Sequence, residues 1–228
     1  MTQQLQVSVG ADRGHVSALL DRPPDAWLLY VIAHGAGAGM RHSFLESIVA
    51  VLGSRGVATF RYQFPYMEAG ARRPDSPEVA EATVRAAASA AAAAAPELPL
   101  IAGGKSFGGR MTSGAAAKSL PGVGGLAFLG FPLHPPGRPG TRRADHLDSV
   151  EVPMLFLQGT RDEFARLDLI TGVSGRLGDR ALLHLVEDAN HSFDVSKRSG
   201  RTRASVLDEL ADTLVQWARA RVLGRSGR

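Results

Sequence analysis

Apolar segments of strand length alternate with segments of helical periodicity along most of this chain, and that alternation limits the folds available to it. Residues 27–34 (WLLYVIAH), 98–104 (LPLIAGG) and 152–159 (VPMLFLQG) are nearly continuous apolar runs. Strands buried on both faces of a parallel sheet have this composition, and parallel strands need crossovers, usually helical, between them. The pattern therefore predicts an α/β fold, with a mostly parallel twisted sheet and helices on both faces.

The first part of the chain has a different pattern. Residues 4–9 and 15–20 alternate between apolar and polar side chains, which predicts two edge strands joined by a turn at 10–14. No linker and no internal repeat interrupts the alternation of strands and helices that follows. We therefore expect a single domain over residues 1–228.

Several helices carry recognisable boundary signals. Ser76 is a favourable N-cap and Pro77 suits the first helical position, so a long alanine-rich helix is expected to run from there to Pro96. Further helices are expected over 107–118 and from about Phe164. These segments supply the crossovers that a parallel sheet requires.

Composition excludes several classes of protein. The 228 residues are 44% hydrophobic and 21% charged, as in ordinary globular domains. The absence of cysteine excludes disulfides and thiolate ligands, and the seven histidines show no metal-ligand spacing, so no metal is expected. The net charge of +4 comes mainly from scattered arginines, which favours a solvated surface over a nucleic-acid partner. With no secretory signal and no apolar run of about 18 residues, we expect a cytoplasmic protein without a membrane partner.

The stretch 104–108 (GKSFG) matches the end of a phosphate-binding loop and also the G-x-S-x-G turn that exposes a catalytic serine. The phosphate loop requires glycine at position 99, where the chain has Pro99. A dinucleotide fingerprint starting at Gly35 would require glycine at position 40, where the chain has Met40. Neither nucleotide interpretation fits, and no cofactor is expected.

The catalytic interpretation makes Ser106 a nucleophile, held at the tip of a strand where only glycine fits two residues to either side. A serine needs a base, and the base needs a carboxylate to orient it. In sheets of this type the nucleophile, the acid and the base follow in that order along the chain, and Asp162 and His191 each come just after a strand. Alternatives are that Glu163 is the acid, that Asp162 only caps a helix, or that His191 is a surface residue.

An oxyanion hole needs two backbone N–H donors. Phe107, directly after the nucleophile, is expected to supply one of them. The other is expected from the glycine-rich loop 34–39, with Ala36 preferred and Gly37, also a candidate substrate contact, as the second choice. The alternative is that this loop is a flexible glycine turn.

The segments HGAGAGM, GGKSFGGRM, GTRDEF and ANHSF resemble those of α/β-hydrolases, and the resemblance covers almost the whole chain. Within that superfamily the chain is similar to small dienelactone-hydrolase-like proteins, in particular to the branch named for testis-expressed protein thirty. Dienelactone hydrolases proper use a cysteine nucleophile, whereas this chain has Ser106. The resemblance implies hydrolysis of an ester or thioester in a small-molecule acyl substrate. Because some relatives act as subunits of larger complexes, a non-catalytic scaffold is the alternative.

The resemblance also bears on the surroundings of the site. Relatives with a cap insert it mainly after the strand corresponding to LAFLGF, where this chain has only the segment 132–151, so no cap domain is expected. His134 in that region is either a substrate contact or a residue that packs the loop. Tyr62 and Phe64 are expected to form a further wall of the site.

Overall fold

A computed structural model describes residues 2–10 and 13–225. Eight strands form one sheet in the order β1-β2-β4-β3-β5-β6-β7-β8. Strand β2 pairs antiparallel with both β1 and β4, and all the other pairs are parallel. The strands are β1 (Thr2–Gly10), β2 (Gly14–Asp21), β3 (Leu28–Ala33), β4 (Val57–Tyr62), β5 (Leu100–Lys105), β6 (Val123–Leu129), β7 (Met154–Gly159) and β8 (Ala181–Val186).

The two N-terminal strands and the parallel remainder form as the sequence predicts, but only β1 is an edge strand, because β2 pairs with β4 on its other side. The expected turn at 10–14 includes residues 11 and 12, which lie outside the described residues. The six helices are α1 (Ser43–Gly53), α2 (Pro65–Glu68), α3 (Pro77–Ala94), α4 (Phe107–Lys118), α5 (Leu167–Leu177) and α6 (Arg203–Arg221).

Strand β3 shows why the central apolar runs are continuous. All six of its residues are buried, and they alternate between two cores. Leu29 and Val31 pack in the core on the face covered by α3, α4 and α5. Tyr30 and Ile32 pack in the core on the face covered by α1 and α6. A strand between two helical layers needs apolar residues at every position.

Helix α3 begins and ends where its boundary signals indicate. The Ser76 hydroxyl accepts a hydrogen bond from the Val79 N–H at 3.4 Å, and the helix ends at Ala94, before Pro96. Its small residues Ala80 and Ala87 are fully buried against the sheet. Helix α5 begins at Leu167, later than expected, so Asp162 does not cap it.

The segment between β6 and β7 does not form a lid. It is a loop that contains one 3₁₀ segment, Arg142–Ser149, whose Ala144 and Leu147 are buried. Within residues 2–10 and 13–225 there is accordingly no cap domain over the carboxyl ends of the strands. None of the described helices is both long enough and apolar enough to cross a membrane.

Candidate active site

Ser106 lies in a strained turn between β5 and α4. Its backbone has φ 51° and ψ −114°, a conformation that costs a non-glycine residue about 1–3 kcal/mol. A Cβ on Gly104 would lie 2.3 Å from the carbonyl oxygen of Ala33, and one on Gly108 would lie 2.5 Å from the same atom. The two glycines therefore allow the turn to pack against β3 while the serine stands at the strand tip.

The three side chains expected from the sequence form one hydrogen-bonded chain. Ser106 Oγ lies 2.8 Å from His191 Nε2, and His191 Nδ1 lies 2.7 Å from Asp162 Oδ2. The Asp162 carboxylate is buried and also accepts hydrogen bonds from the Gln158 side chain at 2.5 Å and the Phe164 N–H at 2.8 Å. These two donors hold the carboxylate in place, and the carboxylate in turn orients the imidazole.

Glu163, the alternative acid, is exposed, whereas Asp162 touches the imidazole. Gln158 was not anticipated from the sequence as a partner of this carboxylate. It lies on β7, four residues before Asp162, and no motif marks an amide that bonds to an acid at that spacing.

His191 is carried by a tight loop after β8. Asp188 and Phe193 both adopt positive φ, at 59° and 62°. The Asn190 side-chain oxygen accepts hydrogen bonds from the N–H groups of Ser192 and Asp194, each at 2.9 Å. Bonds within the loop, the burial of Phe193 and a bond from the Asp188 N–H to the Thr160 hydroxyl together fix its shape, and none of these follows the apolar periodicity that defines the strands.

Lys105 joins this loop to the serine turn. Its Nζ donates to the backbone carbonyl of His191 at 2.6 Å and lies 5.6 Å from the centre of the Phe193 ring. Burial lowers the pKa of the Lys105 ammonium to about 8, against the opposing attraction of Asp162 and Glu163. The contact joins residues 86 positions apart in the chain, and the sequence around Lys105, which matches the end of a phosphate loop, gives no sign of it.

The glycine-rich loop after β3 presents a backbone donor near Ser106. The Ala38 N–H donates to the Gly35 carbonyl at 3.2 Å, which closes a turn with Gly37 at φ 70°. The Gly37 N–H is occupied, because it donates to the Tyr66 hydroxyl at 2.8 Å. The Ala36 N–H has no acceptor among the described residues, and neither has the Phe107 N–H at the start of α4.

His34 holds this loop in place. Its ring is fully buried, with Nδ1 2.7 Å from the Gly35 carbonyl and Nε2 accepting from the Phe64 N–H at 3.1 Å. This pattern requires a neutral imidazole that carries its proton on Nδ1. Burial lowers the pKa of His34 to about 4, so the ring keeps this form at neutral pH.

A cavity of about 420 Å³ opens beside Ser106 and His191. Its walls come from the glycine-rich loop, the start of α1, the serine turn, the segment after β7 and the histidine loop, and include Ala36, Phe44, Lys105, Phe164 and Arg203. The Phe164 ring lies 4.3 Å from the His191 ring and covers one side of it.

Some residues expected at this cavity lie elsewhere. His134 is 3% exposed and does not line the cavity. Its Nε2 accepts from the Arg166 N–H at 3.1 Å and its Nδ1 lies 2.9 Å from the Pro135 carbonyl, so its contacts are those of the loop-packing alternative. The prediction that Tyr62 and Phe64 form a wall is wrong, because both side chains are fully buried in the core. Gly37 also lies outside the lining residues, since its N–H faces Tyr66.

A second serine–histidine contact occurs on α4. Ser113 Oγ lies 2.7 Å from His146 Nε2 and also donates to the Arg110 carbonyl at 2.9 Å. A hydroxyl has one proton, so Ser113 accepts from His146. A histidine that activates a serine must instead accept the proton of the serine hydroxyl.

Comparisons with known proteins place this arrangement in a wider group. Residues 26–219 match the family model described as an alpha/beta hydrolase domain. A serine hydrolase without a lid from Xanthomonas campestris superposes with a TM-score of 0.73 at 21% identity, over 96% of this chain and 94% of that one. Dienelactone hydrolase from Anabaena variabilis gives 0.75 at 19% identity, over 97% and 99%. The esterase domain of a Rhodothermus marinus protein gives 0.72 at 18% identity, also over 97% and 99%.

At these identities the superpositions establish a shared fold, and the family model covers most of the chain. The lidless sheet, the strained serine turn and the residues after β7 and β8 agree with that assignment. This chain belongs to the alpha/beta hydrolase domain family.

Proposed function

We propose that this protein is a serine hydrolase that transfers the acyl group of an ester or thioester to water through Ser106, His191 and Asp162. The observation that carries the proposal is the continuous hydrogen-bonded chain from a serine in a strained turn, through an imidazole, to a buried carboxylate. Each group has the neighbour that its role requires.

The first step forms an acyl-enzyme. Ser106 Oγ attacks the carbonyl carbon while His191 Nε2 takes the hydroxyl proton, and Asp162 stabilises the resulting imidazolium. The N–H groups of Ala36 and Phe107 stabilise the negative oxygen of the tetrahedral intermediate. The intermediate collapses when the bond to the alcohol or thiol breaks and His191 returns the proton to that leaving group.

The second step releases the acid. His191 removes a proton from water, and the resulting hydroxide attacks the acyl carbon. The N–H groups of Ala36 and Phe107 again stabilise the negative oxygen that forms. Breakage of the bond to Ser106 Oγ then regenerates the serine, which recovers its proton from Nε2. The alpha-helix that begins at Phe107 points its positive end at the reacting oxygen throughout.

The cavity supports a small acyl substrate. Its volume of about 420 Å³ lies in the lower part of the range found for small-molecule pockets. The solved relatives named above include an esterase domain and a dienelactone hydrolase, and esters are the class we assign here. The cytoplasmic location predicted from the sequence stays a prediction.

A fluorophosphonate probe and a panel of p-nitrophenyl esters and acyl thioesters of increasing chain length test the proposal. The wild-type protein is expected to label at Ser106 and to hydrolyse the shorter members, and His191→Ala is expected to abolish both. If the purified wild-type protein neither labels nor turns over any member, and instead co-purifies stably with a protein partner, the non-catalytic scaffold is the correct description.

A further inference from the structure

Lys105 is a charged side chain whose position invites a role beyond packing. It is the last residue of β5 and directly precedes Ser106, yet its ammonium reaches across to the loop that carries His191. The residue beside the proposed nucleophile therefore bonds to the backbone of the proposed base.

The contact is costly for folding. The Lys105 side chain is half-buried at the wall of the cavity, and in the described part of the chain it forms no ion pair within 4.0 Å. Asp162 and Glu163 attract it only from a distance, and burial prevails over them to lower the pKa of Lys105 to about 8. An apolar side chain would fill the space without this desolvation penalty, which points to a use for the charged donor.

The histidine loop explains that use. Asn190 organises the loop internally, but the His191 carbonyl itself has Lys105 as its donor. A Cβ placed on Gly130 would lie 3.0 Å from Lys105 Nζ and 3.5 Å from His191 Cε1, so the ammonium and the imidazole both border Gly130. One side chain thus links the serine turn, the loop backbone and the surroundings of the ring.

We propose that Lys105 is a positioning residue that fixes the His191 loop to the serine turn and keeps the imidazole at bonding distance from Ser106. The kinetic consequences of this inference rest on the proposed function. The bond from Lys105 to the His191 carbonyl does not, because it can be tested through the mobility of the loop alone. Without this bond, the loop keeps its internal bonds, the buried Phe193 and the bond from the Arg161 N–H to the Ala189 carbonyl, but loses its direct link to the residue before Ser106.

The proposal predicts a specific kinetic signature. A displaced base lowers the rate of the chemical step and leaves substrate binding in the cavity nearly unchanged. A misplacement of about 1 Å can cost about 100-fold in rate, so kcat of Lys105→Met is expected to fall by 10- to 100-fold with KM nearly constant. The groups facing Lys105 are Asp162, Glu163 and the His191 loop, and wild-type activity is expected to decline in part above about pH 8, because the neutral amine is a weaker donor to the His191 carbonyl than the ammonium.

The test compares Lys105→Met, Lys105→Gln and Lys118→Met. Gln retains an N–H donor without a charge. Lys118 is the matched control, because it pairs with Glu81 at 2.6 Å away from the cavity. We would measure kcat and KM for a p-nitrophenyl ester from pH 6 to pH 10, the melting temperature, and hydrogen exchange of the amides in 188–195.

The expected result is a low kcat, a missing decline above pH 8 and faster exchange in 188–195 for Lys105→Met. Lys105→Gln is expected to regain part of kcat without the decline, and Lys118→Met to match the wild type. Unchanged exchange with unchanged kcat would overturn the inference. So would a kcat that falls only with the melting temperature while the decline at pH 8 persists.

Failure of the proposed function looks different. If the wild-type protein hydrolyses nothing and does not label, hydrogen exchange still decides whether Lys105 holds the loop. If the wild type is active and exchange in Lys105→Met equals that of Lys118→Met, only the positioning role is lost.

Discussion

Two serine–histidine pairs involve neighbouring serines, one just before helix α4 and one within it, and only the first has the surroundings of an active site. Ser106 Oγ is 2.8 Å from His191 Nε2, and Ser113 Oγ is 2.7 Å from His146 Nε2. The distances are nearly equal, so distance alone cannot identify a nucleophile. The pairs differ in the backbone conformation of the serine, in whether a buried carboxylate bonds to the histidine, and in which of the two groups can donate the shared proton.

Ser106 precedes the helix in a strained turn, whereas Ser113 lies within it and bonds to the carbonyl of Arg110, in the preceding turn. His191 is backed by a buried carboxylate, while Asp145, the acid next to His146 in the chain, is exposed. The pair on the helix is a structural contact between α4 and the 3₁₀ segment. The pair at the turn is the one to which we assign proton transfer.

The largest expected effect separates the two serines directly. Ser106→Ala is expected to reduce kcat/KM by on the order of 10⁶-fold, because the covalent route is lost, and to abolish fluorophosphonate labelling. Ser113→Ala is expected to leave ester hydrolysis within a few-fold of the wild type. Equal losses in the two variants, measured on folded protein, would remove the distinction between the pairs.

The acids give the next largest contrast. Asp162→Asn is expected to lower kcat by about 10⁴-fold, because the amide no longer stabilises the imidazolium or selects its tautomer. Asp145→Asn, beside the other histidine, is the control and should have little effect. Steady-state kinetics on one ester substrate measures both, and a mild effect of Asp162→Asn would point to Glu163 as the acid.

Two glycines on α4 extend the comparison to stability. Ala at position 108 would place its Cβ 2.5 Å from the Ala33 carbonyl oxygen, which is fixed in the sheet, and should destabilise the protein by about 3 kcal/mol. Ala at position 114, beside Ser113, would lie 2.7 Å from Oε1 of Glu81, a buried side chain whose other carboxylate oxygen bonds to Lys118. Because this contact is with a side chain and not with the sheet backbone, and because alanine also favours the helix by up to about 1 kcal/mol, Gly114→Ala should destabilise the protein less than Gly108→Ala.

Urea denaturation of both glycine variants at pH 7 provides the measurement. A smaller loss of unfolding free energy for Gly108→Ala than for Gly114→Ala would mean that the serine turn does not depend on close packing against β3. The activity of Gly114→Ala should also stay near that of the wild type.

The sequence predicts the strand tips well and the supporting contacts poorly. Ser106, Asp162 and His191 follow apolar runs that identify themselves as buried strands, and parallel strands bring their ends together. Lys105 and His34 act through backbone atoms that are distant in sequence, and periodicity carries no information about such pairs. The expectation that His134 contacts substrate has the same weakness. A histidine just after a strand looks like a site residue in the sequence, and only the structure shows that it bonds to the backbone of Arg166 and Pro135.

The smallest contrast concerns two histidines, the fully buried His34 behind the glycine-rich loop and the partly buried His146 beside Ser113. Burial lowers the pKa of His34 from 6.5 to about 4, so below pH 6.5 the unfolded chain takes up a proton that the folded protein refuses. The free energy of unfolding should therefore fall between pH 6.5 and pH 4, by about 3 kcal/mol in total, and His34 should contribute no further slope below that range.

Urea denaturation of the wild type and of two histidine variants from pH 7 to pH 4 tests this contribution. The difference in unfolding free energy between two proteins removes the effect of carboxylate titration, because all of them have the same carboxylates. His34→Gln is expected to remove this part of the slope. His146→Gln should remove a smaller part, because burial also lowers the pKa of His146 but its ring is only partly enclosed. A His34→Gln protein with the full wild-type slope would mean that the imidazole protonates in place, and hence that the Phe64 N–H does not depend on it as an acceptor.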